Sequence, residues 1–553
     1  MRTMLSGVAV TLAAVVGQTT LADSYAVKFV ASGNPENRGQ YRVAEVQASL
    51  TPNQGIVGLF RNHEDVGLLN GWVTFLHDPH ALDGDGKEVR LTFLTAGRFR
   101  VEGWVSGPVT LKYRVLLQHD RFPNDPGDDE LAYARPYGVF WTGRALMMEG
   151  APAADVEVRF DAPADWRITT PWVRADEGGR RFIAKTTDDL LDSAFMAGTH
   201  VERTLQVAGG EARLALGPPL ADQEAVLLST LERSLWAYER MFGAGMTGRL
   251  LVIAAEASFS GGGVMGRSIS ILIGPDRGDT TNQGEYIIAH EAFHVWNSQW
   301  RKNETDGELQ WVGEGSAEYY ANLIRVRAGL TNEHQFIAEL GRRAGLYLTA
   351  LRKASIAGGG STKLTGGENS YNIVYSGGMM ADLALDATIR EKSRGRQSLD
   401  DAMRALHARY TGPGGEIATL NDLKTVLTQR YGVADDFIAR YIIEREPLPL
   451  KTLLTGYGLD MTVEDASGVV KVTVSKSPAA TATQKAAWAR LIRVPEFQPS
   501  SPRQPDTPTP AHFMTGDRRD GFRGATIGEL KRLEDLRAGQ PTPKPQAPAA
   551  PEN

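Results

Sequence analysis

The sequence predicts an α+β fold: an N-terminal all-β, sandwich-like domain, a mostly helical domain after it, and a Pro-rich tail. Three observations carry that reading. From about Ser24 to Leu216 short runs alternate apolar and polar residues, the period of strands with one buried face. From about Pro218 the apolar spacing becomes helical. From Gln498 the chain is rich in Pro, Ser, Thr and Gln, a composition that buries too little apolar surface to become ordered. The expected divisions are 1–22, a signal peptide; 23–216, the β domain; 217–460, the helical domain; 461–497, a short extension; and 498–553, a disordered tail.

The elements follow in order. Met1-Arg2-Thr3, the apolar run Met4 to Val16 and the small-residue site Thr20-Leu21-Ala22 have the form of a secretory signal, with Asp23 as the mature start. An exported, periplasmic or secreted protein is expected, with no stable membrane insertion once the signal is removed. Strands are predicted at Val73 to His77, Glu88 to Leu94, Phe99 to Val105, Val109 to Val115, Val156 to Phe160 and Arg181 to Ala184. Gly209-Gly210 between Thr204 to Val207 and Arg213 to Leu216 reads as a hairpin turn. Glu224 to Phe242 is a long amphipathic helix, and Leu250 to Ala254 and Ser268 to Ile273 are buried strands. Further helices are predicted at Glu333 to Leu351, Met379 to Glu391, Leu399 to Tyr410 and Leu420 to Tyr431. The glycine-rich stretch Ala357 to Gly367 reads as a flexible loop. Beyond Asp460 only Val469 to Val474 reads as strand.

Composition excludes several functions. The chain has 553 residues and no cysteine, so disulfides, thiolate metal ligands and a cysteine nucleophile are absent. A net charge of −6 gives no electrostatic case for nucleic acid or an anionic membrane surface as partner. Asp83-Gly-Asp-Gly86 opens like a calcium loop, but Leu94 stands where the bidentate glutamate is needed, so a plain turn is expected.

His290-Glu291-Ala292-Phe293-His294 is the motif that carries chemistry. Residues four apart on a helix share a face, so both imidazoles reach one metal ion. Glu291 stands beside them, placed to take a proton from a metal-bound water. Glu314 follows after enough chain for a loop and the start of a second helix, which returns a third, anionic ligand. Three protein ligands and one open position are the layout of a catalytic zinc site, with one ion per chain expected. Glu318, one helical turn after Glu314, suits the role of holding the non-ligating nitrogen of a zinc histidine. The flanking Tyr286 to Ala289, Phe293, Val295 and Trp296 make the motif helix apolar, where unpaired imidazoles would be costly.

His-Glu-x-x-His-x-Trp-Asn at 290 to 297, followed by Trp311-x-x-Glu314-Gly315-x-x-x-Tyr319-Tyr320, resembles the glycyl aminopeptidase family of zinc metallopeptidases. That family lies in the thermolysin-like group whose third zinc ligand is glutamate. The likeness continues at Leu190 to Ser193, Tyr375-Ser-Gly-Gly378, Asp382 to Arg390, Ser398 to Arg404 and Leu448-Pro-Leu450. The resemblance implies a thermolysin-like catalytic domain acting on peptide or protein substrates. His290, His294 and Glu314 would bind zinc, Glu291 would be the base, and Tyr375 would donate to the oxyanion. The substrate segment would include Gly263, Val264 and Met265. Three departures matter: Gly377 stands in the place of a family lysine, Met265 in that of the glutamate that holds a free amine, and the stretch after Asp460 that is expected to be ordered is too short for the peptide-binding PDZ domain with which family members often end. A thioether cannot pair with an ammonium group, so little preference for free N-termini is expected. The altered substrate segment also leaves a second reading, a non-catalytic peptide-binding relative that keeps the fold.

Overall fold

The structure is a computed structural model describing residues 23–32, 40–59, 71–95, 97–119, 132–207, 210–243, 248–257, 260–274, 281–297, 307–360, 367–410, 419–466 and 468–493. The expected signal peptide and Pro-rich tail lie outside the described residues. The order of elements is β-rich first and helical second, as the periodicity implies.

An eight-stranded sheet runs in the order Val173–Arg174, Arg181–Thr186, Ala154–Asp161, Ser24–Ala31, Tyr41–Leu50, Val109–Leu116, Leu76–Leu82, Glu88–Val89. Its strands keep strict alternation: Val109, Leu111, Tyr113 and Val115 are buried, with polar residues between them. The buried face meets a four-stranded sheet containing Gly138–Thr142 and Ala194–Gly198, every residue of which is buried. Phe29, Trp141, Phe160 and Phe195 fill the space between, with Trp141 ring centroids 5.2 Å from Phe29 and 5.3 Å from Phe195. Asp83 accepts hydrogen bonds from the Asp85 and Lys87 amides, so the Asp83 to Gly86 segment is a turn held by its own carboxylate.

The hairpin Val201–Val207 with Gly210–Leu216 forms as predicted. Its second strand then pairs in parallel with Gly248–Glu256, giving a five-stranded sheet that ends in Ser268–Ile273 and, at the edge, Gly261–Met265. Leu251, Ile253, Ala255 and Leu272 of this sheet join the core of the β-rich region, whereas Leu250, Val252, Ala254, Ile269 and Ile271 join that of the helices. Burial on both faces explains why these strands read as continuous apolar runs. The helices Glu224–Phe242, Glu333–Leu351, Leu399–Tyr410 and Leu420–Tyr431 form at the predicted positions, and Gly378–Lys392 lies within a residue of its prediction. No helix among the described residues is long and apolar enough to cross a membrane.

Five expectations need correction. The run Glu88 to Leu94 divides into Glu88–Val89, in the eight-stranded sheet, and Leu91–Phe93, in a separate three-stranded sheet, and the strand expected over Phe99 to Val105 ends at Val101. Gly71–Phe75 is a 3-10 turn, and the strand begins at Leu76. Trp72 and Phe75 are both fully buried, and their spacing of three suits a 3-10 turn, against the strand signal of Val73 and Thr74. Ile356–Gly360 is a short helix where a flexible loop was expected. A Cβ on Gly360 would fall 1.8 Å from the Gly307 carbonyl oxygen, and one on Gly359 2.1 Å from Ile373 Cγ2. These glycines serve close packing instead of mobility. Finally, Leu459–Ala466 pairs with Val469–Lys476, and a helix follows at Ala482–Leu491. The first strand is mostly exposed and acidic, so it lacks apolar alternation. The helix carries a capping box at Thr481 and Gln484, which fixes its start locally.

Candidate metal centre

The helix Thr281–Asn297 carries the motif, with its apolar side against Glu224–Phe242: Tyr238 lies 5.6 Å from Phe293 and 5.6 Å from Trp296, and its hydroxyl donates to the Ala289 carbonyl. His290, Glu291 and His294 are 6, 7 and 8 % exposed. Glu314 arrives on a π-helical turn, Trp311–Gly315, that leads into the helix Ser316–Arg327. The three expected ligand atoms converge. His290 Nε2 is 3.3 Å from His294 Nε2 and 3.3 Å from Glu314 Oε2, and His294 Nε2 is 3.5 Å from Glu314 Oε2.

That triangle fits zinc. Ligand atoms at the corners of a tetrahedron with bonds of about 2.0–2.1 Å lie roughly 3.3–3.4 Å apart. The donor set also suits it: among the described residues, two imidazoles and one carboxylate converge. Burial disfavours the charged form of His290, yet its bond to Glu314 and the nearby Glu291 and Glu318 outweigh this and raise its pKa above the ordinary histidine value. So much negative charge around two imidazoles is what a divalent cation would balance.

Outer contacts fix both rings. His294 Nδ1 lies 3.0 Å from Asn297 Oδ1, and Asn297 Nδ2 donates to the Gly313 carbonyl at 2.9 Å. That second bond aims the Asn297 oxygen at the ring, so Nδ1 carries the proton and Nε2 is left for the metal. Asn297 is thus a functional residue whose place in the motif was visible and whose role was not. His290 Nδ1 faces Glu318 Oε1 at 3.7 Å. Glu318 is 2 % exposed and bound by the Tyr286 hydroxyl and Arg343, two partners the sequence reading did not single out.

Tyr375 sits on a second π-helical turn, Ile373–Gly377. Its ring stacks against His290 at 6.0 Å, its hydroxyl is hydrogen-bonded to Glu314, and Tyr371 stacks on its other side at 3.9 Å. Burial and the charge of Glu314 push the Tyr375 pKa well above the usual phenol range, with Tyr371 and Glu291 adding to this. The group therefore stays a hydrogen-bond donor. The two π turns touch: a Cβ on Gly315 would fall 2.4 Å from Gly378 Cα, and one on Gly378 2.7 Å from Gly315 Cα. This backbone contact sets the ligand and the tyrosine side by side. A Cβ on Gly377 would lie 3.2–3.3 Å from side-chain atoms of Ile356, Ile373 and Tyr347, so a lysine there would have to push these neighbours aside.

The substrate segment is placed differently from expectation. Gly262 lies beside the base: a Cβ there would fall 2.5 Å from Ile287 Cγ2 and 3.1 Å from Glu291 Cγ. Gly263 pairs with Ser270, and Val264 packs with the helical core. Alternation along the strand turns Met265 to the opposite face, where it is 3 % exposed within the core shared with the β-rich region. Met265 therefore does not face the site.

Comparison with known proteins bears on family and fold. Residues 68–199 match the peptidase M61 N-terminal domain, where the sequence had shown only a general β character, and residues 285–355 match the M61 glycyl aminopeptidase model. The second match includes His290, Glu291, His294, Glu314 and Glu318. An aminopeptidase N family protein from Idiomarina loihiensis has a similar structure, with a TM-score of 0.68 and 19 % identity over 80 % of this chain and 79 % of that one. An M1 zinc metallopeptidase from Deinococcus radiodurans is similar at a TM-score of 0.51 and 14 % identity, covering 77 % of this chain and 94 % of that one. At such identities the structural likeness is one of fold. No curated protein matches the sequence. The motif resemblance to glycyl aminopeptidases is borne out, and with it a zinc metallopeptidase.

Proposed function

We propose that this chain hydrolyses peptide bonds with Glu291 as general base and Tyr375 as oxyanion donor, at one zinc ion held by His290, His294 and Glu314. The observation that carries the reading is the three-ligand triangle with 3.3–3.5 Å sides on the helix that also carries Glu291. Bound there, zinc would supply the Lewis acidity that brings a water pKa to about 7 and polarises the carbonyl. Glu291 then accepts a proton and returns it to the leaving amine. The neutral Tyr375 hydroxyl donates to the oxygen on which charge develops. Gly261–Met265 is an edge strand beside the base, and its backbone is suited to pairing with an extended peptide. Retention of Glu291 beside a complete ligand set weighs against a non-catalytic peptide binder.

The test is zinc content together with hydrolysis of a mixed peptide library. About one zinc per chain and library cleavage are expected, and His294→Ala should lose both. Full zinc occupancy in that variant would remove the assignment.

Specificity gives a second expected result. No carboxylate at position 265 faces the site, so acetylating the N-terminus of a good substrate should change kcat/KM by less than about tenfold. An ammonium–carboxylate hydrogen bond, where present, is worth roughly 1.5–3 kcal/mol. Met265→Glu should destabilise the fold, because it buries a charge in an apolar core, and should not create a preference for free amines. If acetylation abolishes cleavage, another acid anchors the amine and the chain acts as an aminopeptidase. We also infer export, from the signal-like residues 1–22; a mature N-terminus at Asp23 after secretion is the expected result.

A further inference from the structure

Arg343, in the middle of the helix Glu333–Leu351, is 6 % exposed although it carries a full charge. Its Nη2 pairs with Glu318 Oε2 and donates to the Tyr286 hydroxyl at 2.9 Å. The Tyr286 hydroxyl in turn donates to Glu318 Oε1, the oxygen that faces His290 Nδ1 at 3.7 Å. Nε of the same guanidinium donates to Glu339 Oε1 at 2.7 Å, and Nη1 reaches Ser376 Oγ at 3.5 Å, next to Tyr375. One planar fork thus touches the motif helix at Tyr286, the ligand helix at Glu318, its own helix at Glu339 and the tyrosine turn at Ser376. A lysine ammonium has neither the reach nor the fixed geometry for this set.

We propose that Arg343 is a positioning residue for the metal centre: it holds the Glu318 carboxylate against His290 and fixes the tyrosine turn relative to it. The proposal rests on the zinc-peptidase reading. Its physical basis is that Glu318 is buried and needs a compensating charge to remain aimed at His290. Without the guanidinium, Tyr286 is the one other side chain among the described residues that orients the carboxylate, and His290 loses its outer partner. Loss of such partners typically lowers metal affinity or activity 10- to 100-fold.

The structure offers a direct test. Arg343 lines a cavity of about 470 Å³, together with Tyr286, Glu339 and Arg342, that is open towards solvent. In Arg343→Ala the vacated space joins this cavity and admits a free guanidinium ion. Zinc affinity by chelator competition should fall about 10- to 100-fold in Arg343→Ala, with kcat reduced more than KM is raised. Millimolar guanidinium should restore zinc affinity and kcat in that variant and leave the unaltered protein unchanged; sodium and tetramethylammonium should not rescue. Arg343→Lys, which keeps charge and most of the volume, should show the same zinc defect with a smaller loss of melting temperature, and this covers the case in which the alanine variant does not fold. Zinc affinity within about twofold of the parent in the lysine variant, or no rescue in a folded alanine variant, would overturn the proposal. If instead the unaltered protein neither binds zinc nor cleaves peptides, the failure lies with the zinc-peptidase reading itself.

Discussion

Glu291→Gln is expected to keep zinc bound and the chain folded while turnover falls about 10²–10⁴-fold, the usual contribution of a well-placed general base. Each factor of ten is about 1.36 kcal/mol of barrier, so the loss is roughly 2.7–5.4 kcal/mol. Retention of fold follows from shape. Glu291 is 7 % exposed, and the edge strand passes so close that a Cβ on Gly262 would be 3.1 Å from its Cγ. Glutamine has nearly the same outline and fits that slot. Retention of metal follows because Glu291 lies outside the triangle of His290, His294 and Glu314. An amide cannot accept the proton, so the chemical step alone is lost. The measurement is kcat on one peptide beside zinc stoichiometry. Near-normal kcat with zinc bound would remove Glu291 as the base.

The candidate metal centre was legible because its information is local. His290 and His294 share a helix face by spacing alone, and Glu314 comes at the start of the next predicted helix. Tyr375 was reachable only through the family resemblance, since no periodicity marks a tyrosine on a π turn. Arg343 left no trace, because its value lies in meeting Tyr286, Glu318 and Ser376, which no sequence spacing brings together. Glycine was the most misleading residue. Gly359 and Gly360 look like a loop but are packed against Ile373 and Gly307, and nothing in the sequence signals that Gly315 and Gly378 meet where the two site-bearing segments touch. Position 265 was identified from the motif, while its direction depended on register. Gly262 faces Glu291, and three residues on, alternation turns Met265 away.

A buried acid behind the site supplies the second large effect. Asp382 is 0 % exposed on the helix that begins at Gly378, and Asp386 one turn later is held by Arg390 at 2.6 Å and the Leu399 amide at 2.8 Å. Among the described residues Asp382 has no such support: the Ser316 hydroxyl is near enough to favour its charged form but makes no hydrogen bond of good geometry. Burial pushes its pKa up to about 8, with Ser316 lowering it and the charge of Asp386 raising it. The folded chain therefore holds a proton that the unfolded chain, with a pKa of about 3.9, has released. Below pH ~4 both states are protonated and the group costs nothing. Between about pH 4 and 8 stability falls as pH rises, by up to about 1.36 kcal/mol per pH unit, and above pH ~8 the penalty is constant. Asp382→Asn keeps the shape and cannot ionise. Its melting temperature should match the parent near pH 4 and exceed it at pH 8, where the stabilisation should be on the order of several kcal/mol. Comparing the two proteins at each pH cancels the pH dependence of zinc binding, which both share. Parallel melting curves across pH 4 to 8 would show that Asp382 is ionised in the folded chain, with a counter-charge that its surroundings do not display.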